Sequence, residues 1–233
     1  MARTARPQER RTSTGPVAGR RRGVGRPKGG GGEQARTALV DAAVDLFAQY
    51  GYRGTSMAAI AAAAGLSNTG AAHHFPDKGA LLAEVLRRRD AEDTAALGGT
   101  WTGWAIFDFW IRLLAHNQTR PGFVRLFTTV AGEAADHTEH PGHAWLVEHH
   151  AESVRLLVEC LRAGVAEGTV DPQMPVEGVA RLTVAISDGL QIQWLDKPDE
   201  IDMAHDFAVF VEGLKARWSL LPADRGTPAP DGE

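Results

Sequence analysis

The stretch Thr55-Ser56-Met57-Ala58-Ala59-Ile60-Ala61-Ala62-Ala63-Ala64-Gly65-Leu66-Ser67-Asn68-Thr69-Gly70-Ala71-Ala72-His73-His74-Phe75-Pro76-Asp77 decides the fold. Thr55-Ser56 offers an N-cap, since a hydroxyl oxygen accepts from the free amides of a helix's first turn. A short helix over Met57–Ala64 follows, almost all alanine around Ile60, and its small side chains allow a neighbouring helix to come close. Gly65 ends it, Leu66 is an apolar plug, and Ser67 caps a third helix running roughly Asn68–Phe75. Pro76 cannot continue the hydrogen-bond ladder. Asp77 then caps a longer helix with Leu81, Leu82, Val85 and Leu86. Two short helices joined by a glycine-containing turn make a helix-turn-helix. The second such helix fits the major groove with its N-terminal residues toward base edges, here Ser67, Asn68, Thr69 and Gly70.

Upstream, Leu39, Ala43, Leu46, Phe47 and Tyr50 recur at helical spacing, with Asp41, Asp45 and Gln49 on the other side. That predicts a helix over Glu33–Tyr50, stopped by Gly51.

Three runs resemble the DNA-binding domain of the tetracycline-repressor (TetR) family. They are Ala42-Ala43-Val44-Asp45-Leu46-Phe47-Ala48-Gln49-Tyr50-Gly51-Tyr52-Arg53-Gly54-Thr55-Ser56, Ile60-Ala61-Ala62-Ala63-Ala64-Gly65-Leu66-Ser67, and His74-Phe75-Pro76-Asp77-Lys78-Gly79-Ala80-Leu81-Leu82. The resemblance covers roughly residues 36–86. It implies a cytoplasmic, nucleoid-associated transcriptional regulator that dimerises and releases DNA on binding a small molecule. Carried over by position, Ser56 and Lys78 correspond to phosphate contacts. Ser67, Asn68, Thr69 and Gly70 open the recognition helix, and His73 and His74 close it. Two departures stand out. Ala71-Ala72 replaces the Leu-Tyr that many members carry, and Ala58 stands where many have a polar residue. The domain has therefore lost contact chemistry.

Charge suggests a compensation. The chain of 233 residues carries 25 Lys+Arg and 29 Asp+Glu, a net −4, which taken whole argues against a nucleic-acid binder. Residues 1–36, however, hold ten Lys+Arg against Glu9 and Glu33, a net +8, and the remainder carries −12. Such a basic arm seeks phosphate. Its segment Arg22-Gly23-Val24-Gly25-Arg26-Pro27-Lys28 resembles an AT-hook, with Val24 where the first core Arg belongs, so Arg26 is a candidate minor-groove contact.

The organisation predicted is all-α: a disordered basic arm over 1–33, a three-helix DNA-binding domain over 34–80, a helical ligand-binding and dimerisation domain over 81–221, and a disordered tail over 222–233. In the body, Trp101–Leu114 is apolar nearly all round and is expected to be buried. Asp108 stands alone in it and either anchors a ligand or pairs with Arg112. Arg87-Arg88-Arg89 are expected on a solvated face among Glu84, Asp90 and Glu92. Trp104, Asp108, Trp110, Phe127, Trp145 and His149 are the candidate ligand contacts, with plain core packing the competing reading for each aromatic. His137, His140, His143, His149 and His150 crowd beside Glu133, Asp136 and Glu139, but no closed metal motif fits, and a solvated acidic loop with no metal or cofactor is expected. Helices near Pro175–Trp194 and Glu200–Leu220 carry apolar stripes and resemble the family's dimerisation pair. One cysteine, Cys160, excludes an intramolecular disulfide framework. No apolar run approaches the ~20 residues of a membrane span. Nucleophile elbow, P-loop and dinucleotide fingerprint are missing, so an enzyme is not expected.

The reading is thus a repressor released from a near-palindromic operator by a small apolar or amphipathic molecule. The competing reading is an architectural A·T-rich DNA-binding protein dominated by its arm.

Overall fold

The structure, a computed structural model, describes residues 30–220. The arm with Arg26, and the tail from residue 222, lie outside the described residues. Nine helices make up the described chain: α1 Gly30–Gly54, α2 Met57–Ala63, α3 Asn68–His74, α4 Lys78–Leu97, α5 Ala105–Gln118, α6 Pro121–Ala134, α7 His143–Ala166, α8 Val176–Asp196 and α9 Met203–Trp218. Pairing of extended backbone is limited, among the described residues, to one isolated bridge between Val170 and Ser219.

The punctuation acts as its residue types dictate. Ser56, Ser67 and Asp77 each adopt extended backbone and accept, through the side chain, from the amides of Ala59, Gly70 and Ala80. Gly65 takes φ 70° in the turn between α2 and α3, and the Leu66 amide closes back on Ala61 O at 2.8 Å. Gly51 also lies at positive φ and breaks α1, after which Tyr52–Gly54 makes one more helical turn. At its other end α1 starts at Gly30, so Gly30–Glu33 form its first turn rather than the end of an arm.

Two cores form. The first gathers Leu39, Ala43 and Phe47 of α1, Ile60 and Ala61 of α2, Ala71 of α3 and Leu81, Leu82, Val85 and Leu86 of α4. Onto these pack Leu126, Phe127, Val130 and Ala134 of α6 and Leu146 of α7. The helix-turn-helix thus shares its core with the body. The second core joins α5, α7, α8 and α9 through Phe107, Trp110, Leu157, Leu161, Ala180, Phe207 and Val211. α4 contributes to the first core and continues without interruption for 20 residues toward the second.

Four expectations need correction. α5 starts at Ala105, because Gly103 turns the chain at φ 53° and hydrogen-bonds Cys160 O. α5 is also not buried all round. Ile106, Phe107, Trp110 and Leu114 face the second core, while Asp108 and Arg112 are exposed and form no ion pair among the described residues. Phe109 and Leu113 face a cavity while half-buried Ile111 packs against the second core, so two apolar surfaces produced the all-round pattern. Arg87-Arg88-Arg89 do not share one face. Arg87 pairs with Glu84, and Arg88 with Asp41 and Glu92, but Arg89 turns inward and is 5% exposed. Nor is the histidine loop wholly solvated: the His140 ring is buried, edge-on to Tyr52 at 4.9 Å.

Candidate nucleic-acid interface and effector cavity

α3 is built to show one face. Ala71 is buried against the first core, which leaves Asn68, Thr69, Ala72 and His73 exposed and Gly70 and His74 half-buried. Ser67 Oγ accepts from the Gly70 amide at 3.0 Å, so its side chain holds the first turn while its hydroxyl proton stays available. Ser56 does the same for α2, accepting from Ala59 N at 3.1 Å. These exposed donors and acceptors suit base edges and phosphates.

Lys78 has a structural engagement as well. Its Nζ donates to Tyr52 O and Thr55 O, both at 2.6 Å, and lies 4.2 Å from the centre of the Tyr52 ring. The ammonium therefore ties the last turn of α1 to the start of α4, and one of its three donors stays free for phosphate. Arg36, counted with the basic arm by charge, belongs to α1. It donates to His74 O at 3.3 Å, lies 4.4 Å above Phe75 and pairs with Glu84 at 3.2 Å.

A polar junction between the end of α1 and α6 joins this domain to the body. Glu133 of α6 accepts from the Tyr52 amide at 2.8 Å. His140 Nδ1 accepts from Gly142 N at 3.1 Å, and its Nε2 stands 3.4 Å from Glu133 Oε2. Burial pushes His140 below the usual histidine range, against the opposing pull of Glu133.

The cavity lies farther into the body and encloses about 430 Å³. α4, α5, α7 and α8 all contribute to its walls. Of the candidate ligand contacts, Trp110, Trp145 and His149 line it. Phe127 stands one layer behind, 5.7 Å from the His149 ring and 6.3 Å from Trp145. Trp104 and Asp108 are elsewhere: Trp104 Nε1 donates to Thr169 O at 3.0 Å, and Asp108 points to solvent. Trp145 and His149, one turn apart, stack at 4.8 Å and 20°. Trp145 Nε1 donates to Asp90 at 2.8 Å. Burial, aided by Arg89, pushes His149 down to about 3, so its ring is neutral. Burial raises Asp90 above the ordinary aspartate value.

The sequence reading missed Arg89, Asn117, Asp188 and Gln191, all of which line the cavity. A signal existed for two of them. Thr183, Ser187 and Gln191 recur at four-residue spacing on the buried face of α8, and a polar stripe among apolar residues marks a wet interior. Arg89 falls seven residues after Leu82 and three after Leu86, on the face those residues bury.

The fold and the capped, exposed α3 define a helix-turn-helix protein with a helical body. Residues 39–85 match the family model described as bacterial regulatory proteins, tetR family. Over that domain the chain is similar to the DNA-binding domain of the TetR family. It is 43% identical over 53 residues to the HTH-type transcriptional regulator RutR of Escherichia coli (strain K12); the match takes in 23% of this chain and spans a quarter, 25%, of that relative. A TetR transcriptional regulator from Chloroflexus aurantiacus J-10-FL superposes with TM-score 0.71 at 21% identity, over 82% of this chain and 99% of that one. A transcriptional regulator from Saccharomonospora viridis, in complex with choline, superposes with TM-score 0.64 at 21% identity, over 81% and 100%. At such identities the two structures establish the fold alone.

Proposed function

We propose that the chain is a homodimeric transcriptional repressor that leaves a near-palindromic operator when a small molecule fills the cavity between α4, α5, α7 and α8. The observation that carries the reading is α3: Ser67 caps it, Ala71 anchors it, and Asn68, Thr69 and His73 are left exposed for base edges and phosphates. The matched family model and the RutR similarity support the regulatory role. The cavity reading draws on the choline complex of the Saccharomonospora protein, which bears the same fold.

Dimerisation falls to α8 and α9. Leu182, Ala185 and Ile192, with half-buried Gly189 between them, line one stripe of α8, and exposed Val209, Gly213 and Ala216 one of α9. Leu182 is 59% exposed and Val209 62%, apolar area that a twin would cover. A two-fold pair of α3 helices then reads half-sites about 34–36 Å apart, or a multiple. Ligand must bind the released state better than the DNA-bound one, or nothing moves. α4 is the mechanical link, since Lys78 opens it beside the DNA-binding turn and Arg89 and Asp90 face the cavity eleven and twelve residues on.

The test is selection of binding sites from random duplexes, followed by footprinting. A discrete palindromic footprint is expected. Broad A·T-rich coverage would overturn the operator reading in favour of an architectural protein driven by its arm.

A further inference from the structure

Gln191 shows what the cavity asks of its occupant. Its side chain lines the cavity at 3% exposure. Nε2 donates toward Asp188 Oδ1 at 3.4 Å, while Oε1 is buried without a hydrogen-bond partner among the described residues. The neighbouring carboxylate fixes which end is which, because a flipped amide would set oxygen against oxygen. The unpaired atom is therefore an acceptor, and a buried acceptor calls for a donor.

Charge narrows the donor. Five carboxylates line the cavity, those of Asp90, Asp93, Glu148, Glu152 and Asp188, against the single guanidinium of Arg89. Asp93 is answered from behind by Arg120 at 2.7 Å, and Arg89 faces Asp90 at 3.5 Å and lies 4.9 Å over Phe127. Asp188 has no arginine or lysine partner among the described residues. His150 Nε2 stands 3.2 Å from its Oδ2 but out of hydrogen-bond alignment. His149 is neutral and adds no positive charge. The walls between these groups are aromatic, with Trp101, Phe109, Trp110 and Trp145 lining the cavity, and aromatic rings attract cations.

We propose that the cavity takes a protonated amine on an apolar or aromatic body, its ammonium N–H groups shared between Gln191 Oε1 and the Asp188 carboxylate. This rests on the cavity being the effector site. The donor requirement separates the class from quaternary ammonium compounds, which satisfy the charge and the rings but bring no N–H to Gln191.

Calorimetric titration of the full chain with four matched probes tests it: phenylbutylamine, phenylbutyltrimethylammonium, phenylbutanol and phenylbutyrate. The amine is expected to bind about tenfold or more tighter than the alcohol, and the carboxylate weakest. Asp188→Asn should cost the amine about tenfold and leave phenylbutanol unchanged. Gln191→Leu should weaken the amine and spare the trimethylammonium. The ranking on the wild-type chain stands even where a variant fails to fold. Equal or tighter binding of the alcohol or the carboxylate, or no binding of any probe, overturns the proposal. The same probes added to the selected operator complex, read by fluorescence anisotropy, separate the two readings. Amine binding without DNA release sinks the effector role and leaves the ligand class standing. Release by phenylbutyrate with the amine inert sinks the ligand class and leaves the effector role.

Discussion

Gly51 is the residue on which the junction between DNA-binding domain and body turns. Its φ of 72° and ψ of 171° fall in a region held almost only by glycine, where a residue with a Cβ costs about 1–3 kcal/mol, and a Cβ there would also collide with the Glu133 carboxylate. That carboxylate cannot simply move, because it holds the Tyr52 amide. Gly51→Ala is thus expected to lower the urea midpoint by more than the backbone cost alone. In a Glu133→Ala background the same change should cost less, the difference being the collision. Equal costs in both backgrounds would show that Glu133 does not abut Gly51. Lys78 holds the same corner from the other side. Lys78→Met removes two charge-assisted bonds to Tyr52 O and Thr55 O and should cost about 2–3 kcal/mol of stability. An unchanged midpoint with weakened DNA binding would mean that Lys78 serves phosphate alone.

The elements were legible where one side chain does the deciding. Ser56, Ser67 and Asp77 cap helices because each supplies a short acceptor at a helix start, and Gly65 turns because it lacks a Cβ. Legibility failed where position in the fold overrides residue type. Arg89 looks solvated by composition but rotates onto the buried face of α4, and α5 looks uniformly buried because core and cavity both take its apolar residues. Cavity and core present the same apolar pattern, which is why Trp110 and Trp145 proved to line the cavity and Trp104 did not. α7 places His149 one turn after Trp145, and this register has a pH consequence. Its folded value, about 3, lies below the ordinary 6.5, so the unfolded chain binds the proton first. Stability is then full above 6.5 and is lost as pH falls from 6.5 toward 3. The slope approaches about 1.4 kcal/mol per pH unit for one proton. His149→Phe keeps a ring on Trp145 and removes the titration. Its melting temperature should fall less than that of wild type between neutral and mildly acidic pH; parallel curves would refute the assignment.

At the scale of the whole molecule, the DNA-binding domain is not a detachable unit. α6 packs Leu126, Phe127 and Val130 into its core, and α4 runs from the DNA-binding turn to the cavity wall. A boundary at residues 80–81 would cut α4 near its start, and the family match itself runs on along α4 to residue 85. Charge is distributed just as unevenly. Residues 37–90 balance, with five basic and five acidic side chains, and the −12 lies in residues 91–233. An acidic body repels DNA, and α3 offers no lysine or arginine between Asn68 and His74. Phosphate affinity must then come largely from elsewhere, and residues 2–29 hold nine Lys+Arg against Glu9. Each phosphate a side chain neutralises contributes about 0.9 to the slope of log K against log salt. Deleting residues 2–29 leaves α1 intact from Gly30. The deletion should weaken operator binding at low salt and flatten that slope by several units, more so in a dimer carrying two arms. Affinity measured across a salt series decides it: an unchanged slope would place every phosphate contact in the folded domain and leave the arm without a part in binding.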